Sequence, residues 1–288
     1  MRAEASFRAH IKSLGATDRV SPGGWIFRKK GQLDFGESTV AVFPHTIIPG
    51  KNYSALPSRS DVPFPPHTIC ATMHQIGINS YYAHPVLAKG ASPEALEWRF
   101  IQLGVPWLTN FVLVDDAFSG FLVRSKKYNY LRYKTNVSSL SSSDCMVQFS
   151  HESVRIFIEN KFMAETSDID AIVWGDRYTY PMEIKEKVVA QDNDIGEWFG
   201  LDTGPFVKLA HYAARKGNLH SLFVVREIED QKTRLFKQWL VTEFDQLAQW
   251  ASWVPRSGGP GMGGASSMVV RVPRKAFRVL DAKALSEI

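Results

Sequence analysis

The sequence predicts a mixed α/β fold, with α and β elements combined around a central mixed β-sheet flanked by helices. Three observations predict it. From residue 150 onward the local patterns read helix, strand, strand, helix, strand, strand, helix, strand, an order that one mixed sheet with helices on its faces satisfies. Between Ser167 and Lys187 two apolar runs with β-branched content flank a turn signal, which reads as a hairpin. The chain of 288 residues, 44 % hydrophobic and 22 % charged, has enough apolar material for one large domain or two small ones.

The elements follow in order. Residues 1–66 are rich in turn signals, Ser21-Pro22-Gly23-Gly24, Ile48-Pro49-Gly50 and Val62-Pro63-Phe64-Pro65-Pro66, so short strands and loops are expected after an N-terminal helix. Arg28-Lys29-Lys30 falls on an expected turn. His67, Cys70, His74 and His84 follow no metal-ligand spacing. Ser92-Pro93-Glu94 has the form of a helix start, with Leu96, Phe100, Ile101 and Leu103 as the apolar side. Phe111–Val114 and Gly120–Val123 read as two strands around a turn at Asp115-Asp116. Residues 117–143 carry no acid after Asp116. They hold Arg124, Lys126, Lys127, Arg132 and Lys134 interleaved with Tyr128, Tyr130 and Tyr133, a composition suited to nucleic-acid contact and equally to an exposed strand. Ser138–Ser143 reads as a linker or a mobile loop.

Ser150 is the expected cap of a helix reaching Lys161, with Glu152 and Glu159 on it. After the hairpin, Thr203-Gly204-Pro205 starts a second helix that Gly217 ends. Ser221–Val225 and Phe236–Val241 are strands, Thr242 to about Trp253 a helix, and Met268–Val272 a further strand. The glycine-rich Ser257–Gly264 lacks the GxxxxGK[ST] form of a phosphate-binding loop. A division into 1–140, strand- and loop-rich, and 141–288 is expected, or one continuous domain.

The hairpin concentrates the chemistry. Residues two apart in a strand share a face, so Glu183 and Lys185 project together while Met182 and Ile184 go to the other side. Asp170 stands near the start of the preceding strand. Charges on apolar strands are costly unless they are compensated or used. Two carboxylates within short reach make a hard-oxygen site for Mg²⁺, with Mn²⁺ able to substitute. Such an ion lowers the pKa of a bound water and offsets charge on a phosphoryl centre, and a neighbouring lysine orients the water or stabilises the developing charge. Asp168 competes with Asp170 for this role. Lys208, His211 and Arg215 share a helix face, read either as a phosphate-contacting or as a solvated face. Lys187 is a substrate contact or the exposed end of the strand.

Asp170, twelve intervening residues, then Glu183-Ile184-Lys185 resembles the PD-(D/E)xK nuclease motif, over roughly residues 150–225. Ile169 stands where that motif has proline. The resemblance implies a restriction-endonuclease-like core, with Asp170 and Glu183 as metal ligands and Lys185 as catalytic lysine. It also implies a catalytic glutamate from the preceding helix, for which Glu152, 18 residues before Asp170, fits the placement and Glu159 is the alternative. It places the helix with Lys208 and Arg215 beside the active site, and residues 1–140 as a recognition and dimerisation region.

Charge distribution points the same way. Residues 151–202 hold 12 acidic residues against 5 Lys and Arg, inside a chain of net charge +5, so the remainder is strongly basic. An acidic centre within a basic surround suits divalent cations and a polyanion. No apolar run is long enough to span a membrane, and the N-terminus has no signal-peptide core. Two cysteines give no disulfide framework, so a cytoplasmic setting is expected. The expected activity is a Mg²⁺-dependent endonuclease on double-stranded DNA, most simply a homodimeric type II restriction enzyme. Alternatives are a resolvase, a phage or transposon nuclease, a defence nuclease, or a nucleic-acid-binding module of the same fold without catalysis.

Overall fold

The computed structural model describes residues 2–29, 39–53, 62–87, 96–103, 109–125, 140–214, 217–257 and 266–288. Among these lie seven helices: α1 (Arg2–Ser13), α2 (Phe64–Gln75), α3 (Val114–Ala117), α4 (Ser142–Lys161), α5 (Thr203–Ala213), α6 (Phe244–Trp250) and α7 (Ala282–Ser286). The strands of the first half are β1 (Val20–Lys29), β2 (Thr39–Pro44), β3 (Asn79–Val86), β4 (Glu97–Leu103), β5 (Thr109–Val112) and β6 (Leu122–Val123). Those of the second are β7 (Phe162–Trp174), β8 (Thr179–Lys187), β9 (Ala190–Asp192), β10 (Gly196–Asp202), β11 (Leu222–Ile228), β12 (Phe236–Glu243), β13 (Ser252–Ser257), β14 (Ser266–Pro273) and β15 (Arg278–Val279). The fold is mixed α/β. Eleven strands belong to one large mixed sheet flanked by helices, and four form a second sheet.

The chain divides into two compact units, Pro22–Ile169 and Arg2–Ser21 with Asp170–Ile288. The division falls inside β7 rather than near residue 140, and the N-terminal helix belongs with the C-terminal half. The first unit orders its strands β1-β2-β3-β4-β5, with β2 and β3 parallel and α2 as their crossover. Its core joins Phe27, Trp98, Phe100 and Phe118 to Val154 and Ile158 of α4.

The second unit runs β7-β8-β11-β12-β15, with β8 and β11 parallel. One face is covered by α1 and the C-terminal segment, where Phe7, Ile11, Met182, Ile184, Val224 and Ile288 meet. The opposite face buries Phe223 and Val225 with Leu209 of α5, Leu247 of α6 and Val270 of β14. Strand alternation therefore separates Met182 and Ile184 from Glu183 and Lys185 as expected.

Several local expectations are corrected. Ser21–Gly24 is not a turn but part of β1, where glycine is required at position 24. A Cβ there would stand 2.5 Å from the Val42 carbonyl oxygen of β2. Phe64-Pro65-Pro66 opens α2, since proline is accepted in a first helical turn. Leu96–Leu103 is not helical. Glu97 and Arg99 are exposed and Trp98 and Phe100 buried, so a period of two wins once β3 and β5 pair on either side. The cap at Ser92–Glu94 lies outside the described residues. Asp115 and Asp116 sit in the first turn of α3.

Helix α4 begins at Ser142, capped by Ser141, whose Oγ accepts from the Asp144 N–H. Ser150 is buried within it and donates to the Met146 carbonyl while accepting from Ile47 N. The helix expected from Thr242 ends at Trp250, and Trp253 pairs with Val270 in β13–β14. A single sheet after residue 150 is likewise corrected: β13-β14-β10-β9 form their own antiparallel sheet.

Candidate active site

Strands β7 and β8 form the expected antiparallel hairpin, in register from Trp174↔Thr179 to Ala171↔Met182. One step beyond that last pair, Asp170 stands opposite Glu183, and opposite residues of an antiparallel pair share a face. Asp170 Oδ2 accepts the Ile184 N–H at 2.5 Å. The side chain thus takes the place of a backbone partner where the ladder ends, which fixes the carboxyl group against β8.

Glu183 is buried, with a side chain 1 % exposed, and both of its oxygens are held by ammonium groups. Lys185 Nζ lies 2.6 Å from Oε1 and Lys208 Nζ donates to Oε2 at 2.7 Å. The two lysines differ in access: the Lys185 side chain is 35 % exposed and that of Lys208 3 %. A carboxylate removed from water requires such compensation. Burial pushes the Lys187 ammonium down from its ordinary value, the charge of Lys185 adding to that while Asp202 and Glu183 oppose it. Asp170, Glu183, Lys185, Lys187 and Lys208 therefore make one charged cluster in the second unit.

Lys208 as a partner of Glu183 was not read from the sequence, although a signal exists. Lys208, Leu209 and Tyr212 form the buried stripe of α5 at helical spacing, so the lysine lies on the apolar face rather than the solvated one. Arg215 lies outside the described residues, as do Lys126, Lys127, Arg132 and Lys134.

The remaining candidates belong to the first unit. Arg155 donates to Glu152 Oε2 at 2.5 and 3.1 Å and to Glu159 Oε2 at 3.1 Å. Thr166 Oγ1 donates to Glu159 Oε1 at 2.7 Å. Glu159 is the buried member and Glu152 the more exposed. Asp168 is exposed. Arg124 Nε donates to the Glu159 carbonyl oxygen at 2.5 Å, and its N–H to that of Lys161. It thereby serves the last turn of α4, where cations are favoured. Arg28 of β1 pairs with Glu165 at 3.1 Å. The Cys70 thiol is buried and pushed up by burial, far from a thiolate ligand.

Among the described residues no group of three or more His, Cys, Asp and Glu gathers as a metal cage. Mg²⁺ does not need one: it is commonly held by one or two carboxylates, with waters and phosphate oxygens completing its shell. Asp170 and Oε1 of Glu183 fit that donor set. A carboxylate oxygen accepts at two sites, and Lys185 is the more exposed of the two lysine partners.

No family model, curated protein or solved structure matches the chain.

Proposed function

We propose that this chain is a Mg²⁺-dependent endonuclease that hydrolyses phosphodiester bonds of double-stranded DNA, Mn²⁺ substituting for Mg²⁺. The observation that carries the reading is the meeting of Asp170, Glu183 and Lys185 at the end of one hairpin ladder, with Lys185 Nζ 2.6 Å from Glu183 Oε1 and Asp170 anchored on the Ile184 N–H. A divalent ion held by these carboxylates would supply an acidified water and offset charge on the phosphate. The chain's own groups do the rest. Asp170 and Glu183 would hold the ion, and the Ile184 N–H keeps the Asp170 carboxylate in place. Lys185, partly exposed, reaches outward to orient the attacking water or to meet negative charge developing on a non-bridging oxygen. Lys187 lies two residues further along the same strand, as a contact for a neighbouring phosphate.

The form of enzyme we favour is a homodimeric type II restriction endonuclease, in which two-fold symmetry places one hairpin on each strand. Purified protein, supercoiled plasmid and Mg²⁺ test the reading. Discrete fragments are expected. Nicking or smearing assigns another nuclease of the same chemistry, and failure to cleave in both Mg²⁺ and Mn²⁺ overturns the catalytic reading.

A further inference from the structure

Glu183 is gripped from two sides, and the two sides differ. Lys185 comes from the same strand and is partly open to water, whereas Lys208 comes from α5, which packs against β8, and is 2 % exposed. We infer that Lys208 is a resident cation of the site: its ammonium takes the position on Glu183 that a second divalent ion would need, so the Asp170–Glu183 pair holds one ion rather than two. The inference rests on the metal-dependent reading of the site.

Three observations carry it. First, Lys208 Nζ lies 2.7 Å from Oε2, so an ion bound to that oxygen at about 2 Å would press against a fixed positive charge. Second, the lysine has no easy way out. Its side chain is 3 % exposed on the buried stripe of α5, away from water, while that of Lys185 is 35 % exposed. Third, a two-ion site shares carboxylates between ions roughly 3.5–4 Å apart and needs a fuller set of ligands than one ion does. Among the described residues no third carboxylate, His or Cys gathers with Asp170 and Glu183. The Lys208 charge thus does part of what a second ion would do, offsetting the Glu183 carboxylate from the protein side.

The test counts Mn²⁺ bound to the full-length chain without DNA, by equilibrium dialysis with the free ion read by electron paramagnetic resonance. Ions that disappear in Glu183→Gln are those of the site. The wild type is expected to bind one such ion per chain. Lys208→Met is expected to bind a second, or to bind the single ion at least ~10-fold more tightly, because a unit positive charge beside the carboxylate is gone. Lys208→Arg, which keeps the charge, should stay at one ion with wild-type affinity. Should the methionine variant fail to fold by circular dichroism, Lys208→Gln keeps a donor on Oε2 without the charge and is read the same way. Two site ions on the wild type overturn the inference alone, as do neutral variants that bind Mn²⁺ like the wild type. No site ion on the wild type overturns both the inference and the metal-dependent reading beneath it.

Discussion

Buried charge on Glu183 is costly, and its two lysine partners show where the molecule meets that cost. On the proposed function, Asp170→Ala, Glu183→Ala and Lys185→Ala each lower the initial rate of plasmid cleavage at least ~100-fold, the usual scale of one well-placed electrostatic group. Lys185→Ala leaves DNA binding in Ca²⁺ largely intact. Wild-type rates in any of the three variants would place the chemistry elsewhere. A second prediction concerns His45, in the first unit. Burial, then the neighbouring His84 and Lys51, pushes its pKa down to about 4 from 6.5. The ring contacts those of His84 and Tyr53, and bonds the Tyr82 hydroxyl. A depressed histidine pKa means that the unfolded chain binds the proton more readily. Stability from this group is therefore full above pH 6.5 and falls as the pH drops from 6.5 toward 4. The loss is at most about 3 kcal/mol, less with solvent screening. Denaturant midpoints between pH 7 and 4 check this, and His45→Phe should flatten the slope. An unchanged slope in that variant would assign the acid sensitivity to other groups.

At the scale of elements, the β7–β8 hairpin was legible because its signals are local. Two apolar strands flank Gly175-Asp176-Arg177, and alternation alone separates Glu183 and Lys185 from Met182 and Ile184. The turn also depends on something distant. Ile288, 2 % exposed, receives the Asp176 N–H on its backbone oxygen. A Cβ on Gly175 would collide with that oxygen and stand 2.7 Å from the Tyr180 ring. Gly175→Ala is expected to destabilise by about 1–3 kcal/mol, as overpacking does, and to lower the melting temperature by several degrees. A melting temperature equal to wild type would mean that the C-terminus yields. The less legible elements share a cause. The helix signal at Leu96–Leu103 was real, but Trp98 and Phe100 bury only with β3 and β5 alongside. Ser150 resembled a cap, but its hydroxyl bonds within α4 and to Ile47. Propensity yields to tertiary pairing in both.

Over the whole molecule, charge is distributed rather than balanced: a net of +5, with a strongly acidic segment at 151–202 and a basic remainder. If the partner is duplex DNA, affinity in Ca²⁺ should fall by at least ~10²-fold between 50 and 200 mM salt, the signature of several phosphate contacts. Filter binding or fluorescence anisotropy reads it, and a salt-independent affinity would remove DNA as the partner. None of the helices among the described residues is long and apolar enough to cross a membrane.

The sequence by itself determined the α/β class, the hairpin, and the side of β8 on which Glu183 and Lys185 stand. These follow from turn chemistry and a period of two, which act over a few residues. Only the tertiary structure decided that Asp170 would be anchored by the Ile184 N–H, that Glu183 would be sealed from water, and that Lys208, 25 residues away, would hold its second oxygen. It also decided the second sheet and the division of the chain inside β7. Those outcomes depend on which apolar faces meet. Lys208 joins Glu183 because α5 buries Leu209 over that face of the sheet, and the lysine beside it on the helix's buried stripe goes down with it.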